Sequence, residues 1–469
     1  MKQLGWLLLL LVIYTQVFAV SNNEKKGYHI QAQFKGLQTN DTVYLCRYYG
    51  DKRFYQDTAL VDAKGSVVFQ DTTTLYEGMY FFLFPKQRIM DFILKPTHFS
   101  LTADPDNSVG TAQFKGSQDN TDFYNYQKYF QVQRKVADSL GNLYKTATPA
   151  NKPAYEAQLK KLDSNMVVYI STFIKEHPQN LFTSILNTTK DVDMPEAPTL
   201  PSGAKDTLFL YRYYKAHYFD HVNFADNRLI RTPVLANKVE DYFKRLVVNS
   251  ADSINKEIDM ILSRCGKDNF EYFTREFTYK YETSTQMGMD AVFVHMAKEY
   301  YMKNRCPWAS KEVVKKIEDR AKILDPLLIG KVAPNLYMAD TSGKYVYLSN
   351  ISAKYIILYF WDSGCGHCQK ETPKLYEWWL ANRSKGIAVY AANIERKDED
   401  WLAYIRSKNI KAWYNVRDKY NHTDFKITYD IYSTPVIYVL NEKKEIIAKR
   451  IGIEDLDGFI KAYEAMKKK

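Results

Sequence analysis

The sequence predicts a multidomain chain, with an N-terminal all-β module, a central all-α domain and a C-terminal α/β domain. Three observations predict it. Apolar alternation of period two, broken by turn residues, fills residues 27–114. Helical spacing takes over from 121 to 328. Beyond 329, strand-like and helix-like runs alternate, which implies a mixed sheet with helices on both faces. At 469 residues the chain is too long for one ordinary core. The expected division is an export segment at 1–19, a β-sandwich-like module at 27–118, a helical domain at 119–328 and the α/β domain at 329–469.

Composition narrows the class. With 46% apolar and 25% charged residues the chain reads as globular rather than disordered. The net charge of +11 comes from dispersed Lys and Arg, and the dense run at 467–469 is short. No basic helix or aromatic-interleaved motif accompanies it, so nucleic acid is not an expected partner.

The first element is Lys2, an apolar run over 4–13, and Val17-Phe18-Ala19. This is the pattern of a secretory signal cleaved after Ala19. The run is shorter than the roughly 20 residues a membrane-spanning helix needs. The expected product is exported, with membrane association only through an uncleaved N-terminus. In such a compartment five cysteines, Cys46, Cys265, Cys306, Cys365 and Cys368, can pair, and an odd count leaves one over.

In the β module, strands are expected at 28–34, 42–46, 66–69, 79–84 and 91–94, with turns at Asp51-Lys52 and Lys64-Gly65. Cys46 falls within a strand and reads as a buried, inert thiol. In the helical region, 155–162, 239–248 and 268–282 carry helical spacing, and the Pro-rich stretch 194–203 is a loop. His217 and His221 lie four apart, but no carboxylate motif accompanies them and no metal site is expected. Helical segments at 268–282 and 290–303 would fold back about residues 285–288. That hairpin would bring Cys265 and Cys306 opposite each other, so a structural disulfide between them is expected as one alternative and two free thiols as the other.

The α/β region has strands expected at 345–348, 355–361, 388–393, 413–416, 436–440 and 446–450, and helices at 368–382, 398–408 and 454–467. Its centre is the stretch 355–373. An apolar, β-branched and aromatic run ends at Asp362-Ser363-Gly364, and Cys365-Gly366-His367-Cys368 opens a helix. A cysteine at a helix N-terminus meets unsatisfied N–H groups that favour the thiolate. Cys365 is therefore the expected nucleophile and Cys368 the resolving thiol. Glu371 follows on the inward side of the helix, where partial burial would suit a carboxylate to proton transfer. No cofactor beyond the dithiol is expected.

Residues from 330 onward resemble a thioredoxin domain of the TlpA/ResA-like envelope branch. The matching pieces are Gly330-Lys331-Val332-Ala333-Pro334, Asp340-Thr341-Ser342-Gly343-Lys344, residues 360–373, and Thr434-Pro435 before a strand. The resemblance implies a C-terminal α/β thioredoxin fold and a cis Pro435 against the dithiol. Thr434 would then offer its backbone to an extended substrate. Trp361, Gly364 and His367 would line the substrate side. It also implies protein thiols and disulfides as substrates, with an upstream envelope electron donor or acceptor as partner. Three positions depart from common members of the family. Gly364 replaces a Trp, Tyr359 stands where thioredoxins bury an Asp, and His367 replaces a Pro. The expected activity is an exported thiol–disulfide oxidoreductase that reduces or isomerises protein disulfides. A binding protein with a thioredoxin-like scaffold is the alternative. A thiol peroxidase is disfavoured, because Phe360-Trp361-Asp362 replaces the P-x-x-x-T-x-x-C pattern.

Overall fold

The computed structural model describes residues 27–394, 398–420 and 422–467; the expected export segment lies outside them. The chain divides into two compact units, residues 1–186 and 187–469.

The first unit opens with strands β1 (Tyr28–Phe34), β2 (Thr42–Tyr49), β3 (Lys52–Leu60), β4 (Ser66–Asp71), β5 (Met79–Leu83), β6 (Ile89–Ile93), β7 (His98–Ala103) and β8 (Gln113–Lys115). They form two four-stranded sheets, in the orders β4-β1-β7-β8 and β3-β2-β5-β6. The alternation in β1 places Ile30, Ala32 and Phe34 inward, fully or nearly fully buried. Aromatic contacts bridge the sheets: Phe34 meets Phe82 at 5.4 Å and Phe69 meets Phe82 at 5.6 Å. Cys46 is buried, and burial pushes its pKa up to about 11, as an inert thiol requires. After the one-turn α1 (Ser108–Thr111), the long helices α2 (Gln118–Thr146) and α3 (Lys152–Glu176) pair as a hairpin in which Tyr129 stacks on Tyr169 at 4.0 Å. Helix α4 (Leu181–Thr189) follows in the chain.

The second unit begins with α5 (Thr207–His217), α6 (Pro233–Leu246), α7 (Ala251–Arg264), α8 (Lys267–Glu282), α9 (Asp290–Met296) and α10 (Lys311–Leu324). These are amphipathic: α7 buries Ile254, Ile258, Ile261 and Leu262, three or four residues apart. Ser250 and Ser310 cap α7 and α10 through their side chains. Helix α5 ends at His217, which hydrogen-bonds Asp220 at 2.6 Å, so His217 and His221 do not share a helical face.

The α/β part follows: β9 (Tyr337–Asp340), β10 (Tyr345–Tyr347), β11 (Tyr355–Trp361), α11 (Gly366–Asn382), β12 (Ile387–Asn393), α12 (Asp398–Ser407), β13 (Tyr414–Arg417), α13 (Phe425–Thr428), β14 (Val436–Asn441), β15 (Ile446–Lys449) and α14 (Leu456–Lys467). One sheet runs β10-β9-β13-β12-β11-β14-β15, with β11 parallel to β12 and antiparallel to β14. Every residue of β11 is buried, as expected of a central strand covered on both faces. Tyr355, Ile357, Tyr359 and Trp361 face a core shared with α11, α12 and α14. Ile356, Leu358 and Phe360 face the other core, with Leu327, Phe425 of α13 and Tyr429.

The helical and α/β parts of this unit are joined by buried charge. Lys449 at the end of β15 pairs with Asp290 of α9 and donates to the Leu327 carbonyl at 2.7 Å. Its side chain is 7% exposed. Asp430, 1% exposed, accepts from Arg320 of α10 at 3.0 Å and from Arg450 at 2.6 Å. The connecting segment adds to the sheet edge: Gly330 N donates to the Ile446 carbonyl, and Ile446 N donates to that of Lys331, both at 2.8 Å. Removing one partner of a buried pair strands the other charge. Asp290→Ala should therefore destabilise the full chain by about 3 kcal/mol or more in chemical denaturation. A loss below about 0.5 kcal/mol, the range of ordinary surface substitutions, would show that Lys449 is solvated.

Candidate active site

The site is built where β11 ends. Asp362 turns the chain by accepting the Gly364 N–H at 2.7 Å on its carboxylate and the Cys365 N–H at 3.2 Å on its carbonyl. Cys365 is the N-cap of α11, with extended backbone angles (φ −78, ψ 121). Gln369, in the first turn, fixes the loop by donating to the Ser363 carbonyl at 3.1 Å. The two thiols fall into different environments. Cys365 is half-buried and Cys368 is fully buried.

Their proton affinities follow. Burial works to raise the Cys365 pKa. The backbone N–H groups of Cys368 and His367, Thr434 and the Cys368 thiol outweigh it and hold the thiol below its ordinary range. Burial pushes Cys368 the other way, up to about 12. Both thiols are free in this structure. Across the site the Thr434–Pro435 peptide is cis, and the Cys365 Sγ lies 3.4 Å from the Thr434 carbonyl oxygen. Cys365, Cys368, Thr434 and Pro435, some 70 residues apart, are thus brought together.

The remaining expected residues are placed as follows. Gly364 and His367 are exposed at the mouth. Glu371 is half-buried, one turn below Cys368, and its carboxylate accepts from Lys374 at 2.7 Å. Trp361 is not on the substrate side. It is fully buried, ring-parallel to Tyr359 and 5.1 Å from the Tyr404 ring. The alternation of β11 points it into the core beneath α11, away from the surface. The alternative of a Cys265–Cys306 disulfide is also corrected. Both are free thiols, and burial pushes each up to about 12. The helix expected over 290–303 is not continuous, because α9 stops at Met296. A π-helical turn over Ala297–Tyr301 and a left-handed residue at Asn304 follow before Cys306.

The sequence reading missed a buried pair of hydroxyls. Tyr359 Oη and Thr372 Oγ1 lie 2.9 Å apart, and both residues are fully buried. The signal was available: Thr372 is four residues after Cys368, and so on the same helical face.

Among solved structures, a domain of a possible thiol-disulfide isomerase from Cytophaga hutchinsonii is 70% identical. It covers 31% of this chain and 99% of its own, with a TM-score of 0.30. The thioredoxin domain of a thiol-disulfide oxidoreductase from Bacteroides vulgatus is 31% identical over 29% of this chain and 96% of its own, with a TM-score of 0.27. Residues 28–123 and 174–323 match two domains of unknown function, DUF4369 and DUF5106. Residues 329–449 match the AhpC/TSA family. The thiol-disulfide oxidoreductase ResA of Bacillus cereus is 27% identical over 139 residues, 29% of this chain and 79% of that protein. With the helix-capping dithiol and the seven-stranded mixed sheet, the ResA and AhpC/TSA matches make the C-terminal part of the chain a ResA-like thiol–disulfide oxidoreductase domain on a thioredoxin fold.

Proposed function

We propose that the protein is an exported oxidoreductase of the cell envelope that reduces or isomerises disulfides in other proteins. One observation carries the reading: a half-exposed thiol caps the N-terminus of α11, where backbone N–H groups hold its pKa below the ordinary range, while its partner one turn on is fully buried. Cys365 attacks a substrate disulfide, the substrate's leaving thiolate departs with the bonding electron pair, and a mixed disulfide forms. Cys368 then attacks Cys365 Sγ, releases the second substrate thiol and closes the Cys365–Cys368 bond. Thr434 and the cis Pro435 present backbone for an extended substrate segment, with Gly364 and His367 at the rim. Glu371, paired with Lys374, serves as the carboxylate that exchanges protons with solvent at the mouth of the site, away from the buried Cys368 thiol. Export rests on the signal pattern at 1–19. An envelope thiol or disulfide carrier restores the dithiol, and the β and helical parts select the partner.

In an insulin-reduction assay the wild type should be active and Cys365→Ser inactive. Thiol-independent or absent activity in the wild type would overturn the enzyme reading in favour of a binding role. Cys368→Ser should trap mixed disulfides with protein substrates in the envelope fraction. Alkylation by iodoacetamide gives the pH dependence. The Cys365 rate should rise with a midpoint below the ordinary thiol value of about 8.5, with Cys368 unreactive in the folded protein. The signs follow from linkage. The stability contributed by the Cys365 thiolate is present above the unfolded value and lost as pH falls through the depressed folded value. That of the Cys368 thiol is present below the unfolded value and lost as pH rises towards 12. Stabilising the reduced form makes a dithiol more oxidising, so the potential should fall at roughly −180 to −250 mV. A value below about −270 mV, that of thioredoxin, would contradict it.

A further inference from the structure

Cys368 has to lose its proton to resolve the mixed disulfide, yet it is fully buried, and burial, with Cys365 beside it, outweighs the hydrogen bonds from the Asp362 backbone and the Thr434 side chain and holds the thiol protonated. A carboxylate would be the usual remedy. The strand position that could bring one holds Tyr359, and the Glu371 carboxylate is engaged by Lys374. What the core does offer is hydroxyl groups. Thr372 lies one turn after Cys368 on the same buried face and is hydrogen-bonded to Tyr359 at 2.9 Å. Tyr404 of α12 brings a third hydroxyl, buried beside that of Thr372, which acts on it as a hydrogen-bond partner. The indole N–H of Trp361, in the same core cluster as Cys368, is buried without a hydrogen-bond partner. Cys368 acts electrostatically on both Tyr359 and Tyr404, and each is raised by its burial first of all. Buried donors without acceptors are costly in a resting state. They are satisfied when an anion forms beside them.

We propose that Thr372, held by Tyr359 and assisted by Tyr404, is the neutral hydrogen-bond donor set that stabilises the Cys368 thiolate as it attacks the mixed disulfide. This rests on the oxidoreductase reading above. The step balances without an added base. Cys368 Sγ bonds to Cys365 Sγ, the Cys365–substrate S–S bond breaks, the substrate sulfur leaves with the electron pair, and it takes up the proton that Cys368 gave up. No net redox equivalent is consumed beyond the substrate disulfide. Thr372 donates to the reacting Cys368 sulfur in this scheme, and Tyr359 is a positioning residue that acts through Thr372.

The test separates attack from resolution in the full chain. A peptide disulfide carrying a fluorescent leaving group reports formation of the mixed disulfide, and quenched samples report its disappearance. Thr372→Val should leave formation and Cys365 alkylation within about twofold of wild type. It should slow resolution at pH 7 by about tenfold or more, the scale of a hydrogen bond to a charged group. Its pH profile for resolution should move to higher pH. Tyr359→Phe should shift the profile in the same direction, and Thr372→Ser, which keeps the hydroxyl, should restore it. Wild-type resolution with an unshifted profile in both Thr372→Val and Tyr359→Phe would overturn the proposal. So would a loss in Thr372→Val that Thr372→Ser fails to rescue, because that outcome assigns Thr372 a packing role. Failure of the wild type to form any mixed disulfide would instead overturn the function reading beneath it.

Discussion

The burial of β11 on both faces is the constraint from which the site follows. A strand that shows no side to water can carry only apolar or internally bonded side chains, and Tyr355–Trp361 meets that demand along its whole length. Its neighbours β12 and β14 fix its register. Where β11 ends, the chain must turn at once, because Asp362 is already partly exposed. The Asp362 side chain makes that turn, and the helix that follows starts at Cys365. The asymmetry between the thiols is then a matter of position. One sits at the helix mouth among unsatisfied N–H groups, and the other, a turn inward, sits against the core of β11.

The buried ion pairs make the helical part of the second unit more than an appendage. Asp430 accepts from Arg320 of α10 and from Arg450, and it lies four residues before Thr434. Tyr438 donates to the Tyr429 carbonyl at 2.8 Å, tying the same loop to β14. The carbonyl that faces Cys365 is thus presented by a loop whose base is anchored from the helical part. Buried charge is a poor source of net stability but an exacting one in geometry, because a carboxylate at 1% exposure tolerates few alternative placements. This argues against treating residues before 329 as removable without consequence. Cutting there would take Arg320 from Asp430 and Asp290 from Lys449.

Much of this was legible in the sequence where the signal was dense. The run at 355–361, the turn, the C-x-x-C spacing and Thr434-Pro435 each carry their own local requirement, and the structure assembles them as that requirement demands. What escaped had weaker local signatures. Strand β3, which follows the expected turn at Asp51-Lys52, has no signal of its own, because it is an edge strand whose side chains are largely exposed and show no apolar alternation. The resemblance alone puts Trp361 on the substrate side, whereas the period of the strand places it inside with Tyr359. Two regular helices about a symmetric turn would bring Cys265 opposite Cys306, and the π-helical turn over Ala297–Tyr301 that interrupts them leaves no mark in helical spacing.

The hydroxyl surroundings of Cys368 bear on the character of the dithiol as a whole. A buried carboxylate near the resolving thiol can take its proton, but once ionised it repels both thiolates and raises the cost of the reduced, charged state. Hydroxyls do the opposite: they donate to a forming thiolate and stay neutral when none is present. With Tyr359 in the strand position, the site gives up a resident base and avoids that like-charge penalty. The trade suits a dithiol whose reduced form is favoured at Cys365 by backbone N–H groups and at Cys368 by burial as the neutral thiol. Both effects stabilise the singly ionised dithiol, one by solvating its charge and the other by keeping the second sulfur protonated. A pair poised in this way is inclined to accept electrons from its partners, and its resolving step is governed by how well the core around Thr372 can receive a transient negative charge.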